Sequence, residues 1–139
     1  MYKSLTTKVI ESEQYEIEND IIYKISQKTT VQDFKTKMNL TEDDKIFKDN
    51  IELTDNEFVT TNSILRTSNN KTYTLVVTGD TKGRGQIDML DVARVQLHYV
   101  ELEPLVGVYL KAADMNFDYK IDMLDVARVL LVHVGLMNI

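Results

Sequence analysis

The chain has 139 residues, 43% of them hydrophobic and 27% charged, with a formal net charge of −6. That suits one ordinary domain or two very small ones that can fold, and it argues against a nucleic-acid binder, which needs a basic footprint. The absence of cysteine excludes disulfides, thiolate zinc sites and cysteine nucleophiles, without fixing the compartment.

No run is long and apolar enough to span a membrane. The opening MYKSLTTKVIESEQ lacks the apolar core of a signal peptide, which fits a cytosolic protein and equally a fragment of a larger secreted one. The acids Glu11, Glu13, Glu16, Glu18 and Asp20 read as a solvated face, the usual meaning of a charge run. Ile21–Ser26 (IIYKIS) is β-branched and alternating, and is predicted as a strand. In TTVQDFKTKM, Thr30 can cap a short helix whose Val31, Phe34 and Met38 share one face. KIFKDNIEL predicts a hairpin turning at Lys48-Asp49-Asn50. A second hairpin pairs Ser63–Thr67 with Thr72–Val77 around Asn69-Asn70. Residues 1–78 thus read as a small β-rich α+β module, β-sandwich-like or β-grasp-like, with no histidine and no acids at motif spacing.

The second half, 79–139, is a repeat. The nonapeptide IDMLDVARV occurs twice, at Ile87–Val95 and Ile121–Val129, and the offset of 34 also aligns Asp80 with Asp114. Each copy is a polar loop followed by an apolar helix. The first helix is predicted over Leu90–Leu102, stopping before Pro104, and the second over Leu124–Val134, stopping at Gly135. LVGVYLKAA between them can form a short linking helix. Two similar apolar helices should pack together with approximate two-fold symmetry.

The second loop reads DMNFDYKIDMLD. Asp114, Asn116, Asp118, Asp122 and Asp125 stand at positions 1, 3, 5, 9 and 12, which is the spacing of an EF-hand-type calcium loop. Calcium takes six to eight hard oxygens, and a tightly coiled loop turns alternate residues inward. Lys120, at position 7, would offer only its backbone carbonyl. Ile121 at position 8 is placed to pair with Ile87 of the other loop as a miniature β-ladder. A strand-like segment, TYTLVVTG, precedes the first loop, so each unit is half an EF-hand: loop plus exiting helix.

From about Gly79 onward, roughly 60 of the 139 residues, the chain resembles a dockerin module of the type I calcium-repeat kind. The duplicated loop–helix, Asp at position 12, Ile at position 8 and the intervening LVGVYLKAADMN carry the resemblance. The first half resembles, in position and texture, the X-type β-rich modules that precede dockerins in bacterial surface proteins.

Two departures matter. The first loop, DTKGRGQIDMLD, keeps Asp80, Asp88 and Asp91 but has Lys82 and Arg84 at positions 3 and 5. Its five ligand positions (three Asp, one Lys, one Arg) carry a summed charge of −1, against −4 in the second loop (four Asp, one Asn). Calcium is therefore expected in the second loop and not in the first, where Lys82 or Arg84 would fold inward and pair with Asp80, Asp88 or Asp91, an internal salt bridge in place of the metal, or else both would point to solvent. The second departure is Tyr119 at position 6, where a positive φ is usual and glycine is preferred. A bulky residue there costs about 1–2 kcal/mol.

The helices carry more apolar surface than one stripe holds, and such surplus marks an interface. The resemblance implies a cohesin partner, contacted through Met89, Leu90, Arg94 and Leu97 of the first copy and Met123, Leu124, Arg128 and Leu131 of the second. The alternative for the methionines is core packing, and for the arginines a solvated face. His98 and His133 do not align under the offset and read as unrelated surface or boundary residues.

The expected fold class is α+β: a small β-rich domain followed by an all-α dockerin of two loop–helix repeats. The expected function is non-catalytic docking onto a cohesin-like module of a scaffoldin or surface protein, as in cellulosomal polysaccharide degradation outside the cell or at its surface. No nucleic acid and no membrane insertion are expected. The competing readings are a structural or self-associating segment with decayed loops, and a calcium sensor, which full EF-hands with entry helices would favour.

Overall fold

The structure, a computed structural model, describes residues 15–137. Glu11 and Glu13 of the acidic run lie outside the described residues. The elements in chain order are β1 (Glu16–Glu18), β2 (Ile21–Ile25), α1 (Val31–Lys37), β3 (Lys45–Lys48), β4 (Ile51–Glu52), β5 (Ile64–Arg66), β6 (Thr72–Val77), α2 (Met89–Tyr99), α3 (Val108–Ala113) and α4 (Met123–His133).

Among the described residues the strands form one six-stranded sheet in the order β1-β2-β6-β5-β3-β4, and not the sandwich that was one of the two arrangements open from sequence. β2 and β6 run parallel at its centre, and every other neighbouring pair is antiparallel. Both predicted hairpins are present. The β3–β4 turn has Asp49 (φ 51) and Asn50 (φ 67), both left-handed, as a two-residue turn between twisted strands requires. β1 went unpredicted, although Asn19 (φ 53) and Asp20 (φ 62) make a turn of the same kind between EIE and IIYKI.

Alternation along the strands gives the sheet two apolar faces. Ile22, Ile25, Leu65, Leu75 and Val77 pack with Val31, Phe34 and Met38, so α1 covers one face. Ile22 and Ile25 are three apart, and a bulge with Lys24 at φ 68 returns Ile25 to the face of Ile22. Thr30 caps α1 by accepting from the Asp33 N–H, as predicted. Tyr23 and Val76 point the other way and pack on Ala112 of α3, with Ile21, Val108 and Phe117 alongside.

The repeat half has its own core. α2 and α4 pack against one another through Val92, Val95, Val126, Val129 and Val132, joined by Ile87, Leu105, Ala113 and Met115. Val92 matches Val126, and Val95 matches Val129, under the offset of 34. α2 is shorter at its C-terminus than predicted. It ends at Tyr99, and Glu101 (φ 64) turns the chain before Pro104 is reached. Only Thr78 and Gly79 separate the end of β6 from Asp80, and both are tied down. Thr78 N–H donates to Ile25 O at 2.9 Å, and Gly79 N–H to Ala112 O at 2.7 Å.

Candidate metal loops and binding face

Each loop ends in a helix cap. Asp88 caps α2 and Asp122 caps α4; in each case the aspartate three residues on accepts from the cap's own N–H, completing a capping box. Positions 9 and 12 of the loop motif therefore close the helix N-terminus whether or not an ion is bound. The Asp-x-x-Asp spacing before an apolar run is a sequence signal for this second role, and reading the acids only as ligands passed over it.

In the second loop, Asp114 Oδ1 accepts from Asp118 N–H (3.2 Å) and Oδ2 from Tyr119 N–H (2.8 Å). Asp125 Oδ1 accepts from Met115 N–H (2.7 Å) and Oδ2 from Asp122 N–H (2.9 Å). One oxygen each from Asp114, Asp118 and Asp125 lie within 4.8 Å of one another. Oxygens sharing a calcium ion at about 2.4 Å can be no further apart than about 4.8 Å. The Asn116 amide faces the same three carboxylates through its oxygen; reversed, its nitrogen would donate at 3.2, 2.9 and 3.3 Å to Asp114, Asp118 and Asp125. With oxygen inward, the cluster is all acceptors, a set that a cation stabilises. Burial pushes the Asp114 and Asp125 carboxyls above their usual range, against their backbone hydrogen bonds. The donor set thus fits a hard divalent cation. Asp122 Oδ1 is engaged with Leu124 N–H at 2.9 Å, and the Lys120 side chain is exposed.

In the first loop the backbone takes the same course without the full ligand set. Asp80 Oδ1 accepts from Arg84 N–H (2.8 Å), and Oδ2 from Gly85 N–H (2.8 Å) and from Thr61 N–H (2.9 Å). Asp91 accepts from Lys82 N–H (2.9 Å) and Asp88 N–H (2.8 Å). Both carboxylates are fully buried. Arg84 pairs with Asp88, but at the surface and not folded inward in place of the metal as expected, and the Lys82 side chain is exposed. Burial acts against the Asp88 charge, but the N–H groups of Asp91 and Leu90 and the Arg84 guanidinium outweigh it and hold Asp88 below the usual carboxylate range. Burial, with the charges of Asp80 and Asp88 adding to it, pushes Asp91 up to about 6. This loop does not fit calcium: two of its five ligand positions are cations, and Asp80 is already filled by three N–H donors.

The expected β-ladder between Ile87 and Ile121 is not formed among the described residues. Ile87 N–H donates instead to Gln27 Oε1 at 2.8 Å. The two side chains still share the helical core, Ile87 within it and Ile121 half-buried against it. Both loops therefore border the same core, without a backbone ladder between them.

The acidic run is also more than a solvated face. Glu18 Oε1 meets Lys111 Nζ at 3.3 Å and its Oε2 accepts from Tyr119 O–H at 3.1 Å, which ties β1 to α3 and to the second loop. Lys111 Nζ lies 3.8 Å from the Tyr23 ring centroid, and Lys24, paired with Glu16, lies 4.8 Å from that of Phe117.

Of the eight residues expected to face a partner, four form two matched, exposed pairs: Met89 (54%) with Leu90 (52%), and Met123 (55%) with Leu124 (58%). This exposure excludes core packing for the methionines within the chain. Leu97 and Leu131 are half-buried. Arg128 is exposed, whereas Arg94 is half-buried with its Nε shielded and without a partner among the described residues. His98 has a structural task, accepting Leu105 N–H at its Nδ1 (2.9 Å) to fix the turn after α2.

Residues 78–130, within the repeat half of the chain, match the family model of the dockerin type I domain. The sheet ahead of it is consistent with the β-rich module expected there. No curated protein and no solved structure gives a significant match.

Proposed function

We propose, from the dockerin match over residues 78–130, that this protein is a non-catalytic adaptor that docks onto a cohesin module of a scaffoldin or surface protein. The observation that carries this reading is the duplicated exposed pair, Met89-Leu90 and Met123-Leu124, at the start of α2 and α4. Methionine is flexible and polarizable and suits an adaptable apolar contact. An exposed apolar patch rimmed by polar groups is how a docking face presents itself. Arg128, exposed in the middle of α4 one turn beyond Leu124, can supply the rim.

Calcium belongs to the structural side of this function. Asp114, Asn116, Asp118 and Asp125 would hold it, with Asp122 and the Lys120 carbonyl completing the set. Bound there, the ion would neutralise the converging carboxylates and order the loop that leads into α4. Residues 1–78 and 79–139 are proposed as an X-type accessory module and the dockerin. The setting proposed is extracellular or at the cell surface; among the described residues no helix is long and apolar enough to cross a membrane.

The test is a binding screen of the whole chain against a panel of cohesin modules, with calcium and with chelator. Capture by a cohesin in calcium is expected, and no binding to any member would sink the reading. Two equivalent pairs also allow binding in two orientations related by a half-turn. Replacing Met89 and Leu90 by serine, or Met123 and Leu124, should each leave binding intact, and the two together should abolish it. If either double substitution alone abolishes binding, the dual orientation is wrong.

A second reading, self-association, is favoured by further exposed apolar residues: Val100, Leu102, Val106, Val134 and Leu136. Size-exclusion chromatography separates the two, because an adaptor elutes as a monomer until its partner is added.

A further inference from the structure

We propose that the sheet module, through Thr61, Gln27 and Lys28, takes over in the first loop the ordering that calcium would provide, so that one half of the repeat pair is set without metal. The inference does not depend on which partner the protein docks.

The two loops share a backbone course that only one can owe to an ion. Positions 4 and 6 are left-handed in both: Gly83 (φ 73) and Gly85 (φ 79) in the first, Phe117 (φ 59) and Tyr119 (φ 65) in the second. The position 1 aspartate accepts from the N–H groups of positions 5 and 6 in both. What the first loop lacks is the full ligand set. What it has in addition comes from the sheet side.

Three hydrogen bonds cross to it. Thr61 N–H reaches Asp80 Oδ2 at 2.9 Å, Lys28 N–H reaches Gly85 O at 2.7 Å, and Gln27 Oε1 receives Ile87 N–H at 2.8 Å. They engage positions 1, 6 and 8 of the loop. Thr61 is itself fixed, since its hydroxyl accepts from Val77 N–H (3.1 Å) and donates to Val77 O (3.2 Å) at the end of β6. The approach is also close. A Cβ on Gly85 would lie 2.6 Å from Val59 O and 2.7 Å from Phe58 Cβ, and one on Gly83 would lie 3.1 Å from Thr61 O. Position 6 is therefore glycine in the first loop, where the sheet presses on it, and tyrosine in the second, where the side chain is 74% exposed.

The consequence reaches the docking face. Ile87 leads directly into Asp88, Met89 and Leu90, so the first exposed pair is positioned by the sheet. The second pair follows the loop whose acids fit calcium.

Amide hydrogen exchange on the whole chain, with calcium and with chelator, tests this. Gly85→Ala breaks the contact, and Gly135→Ala is its control, with φ 82 against 79 but nothing within 4 Å of the added Cβ. The Arg84 and Ile87 amides should keep their protection in chelator, within about twofold. Gly85→Ala should raise their exchange at least about tenfold, and Gly135→Ala should leave it within about twofold. Should Gly85→Ala fail to fold, Gln27→Ala removes one acceptor and should raise exchange at Ile87. Protection lost in chelator, or indifference of these amides to both Gly85→Ala and Gln27→Ala, would overturn the proposal. The Met115, Asp118 and Tyr119 amides report calcium in the second loop separately, so failure of that reading is distinguishable.

Discussion

Single residues carry three tasks in these loops: holding charge, capping helices and permitting a left-handed backbone. The two copies distribute them differently. The first loop has glycine at both left-handed positions and has cations at two of its five ligand positions. The second keeps its ligands and accepts aromatic residues there, at about 1–2 kcal/mol each. The rings offset that cost by contact, Phe117 against Tyr23 and Lys24, and Tyr119 with Glu18. Asp91 carries the clearest pH signature. Its folded pKa of about 6 lies above the unfolded value of about 3.9. Between those values the folded state keeps a proton that the unfolded state has released, so stability falls as pH rises through about 4 to 6. The loss is on the order of 2–3 kcal/mol and is complete above about pH 7. Asp91→Asn should flatten that part of the profile relative to wild type, measured by urea unfolding at several pH values without added calcium. An unchanged difference between the two proteins across the window would show that Asp91 does not titrate there.

Helices α1, α2 and α4 all begin at a side-chain cap, but the caps are not equivalent. Thr30 makes one exposed bond to Asp33 N–H, and Thr30→Ala should cost about 1 kcal/mol, as ordinary caps do. Asp125 accepts from both Met115 and Asp122 while buried, so Asp125→Ala strands two N–H groups and should cost more, about 2–4 kcal/mol, even in chelator. Chemical denaturation of the two variants in chelator compares them directly, and equal losses would mean that the second box adds nothing to a plain cap. Along each repeat helix the valines face inward and the Met-Leu pair faces out. Val129→Ala should destabilise by about 1–3 kcal/mol with docking otherwise kept, while the Met-Leu substitutions should leave the midpoint of unfolding nearly unchanged.

At the scale of the molecule, no linker divides the sheet from the repeats. β6 runs into the first loop across two hydrogen-bonded residues, and α3 packs on the sheet face opposite α1. Elements that share buried surface and a continuous backbone should unfold together. A single calorimetric transition is expected for the whole chain in chelator, with two separate transitions as the contrary result. Glu18→Ala removes the bond to Tyr119 and the pair with the half-buried Lys111, and should lower that transition by a few degrees.

The sequence by itself determined the local features: the exact repeat, the calcium spacing of the second loop, the cation-damaged first loop, the hairpins and the Thr30 cap. Each depends on residues a few positions apart, where periodicity and side-chain chemistry decide the outcome. It also showed that the helices carry more apolar surface than a single stripe holds. Tertiary structure decided the rest. β1 was concealed because its glutamates look solvated until Lys24 and Lys111 are brought beside them. Ile87 found Gln27, 60 residues earlier, in place of Ile121. Asp80 gained Thr61, which no motif contains. Gln27 follows β2, Thr61 lies in the connector before β5 and Asp80 follows β6, and the parallel pairing of β2 with β6 gathers them at one place. A buried backbone N–H must find an acceptor, and only the assembled fold shows which acceptor is within reach.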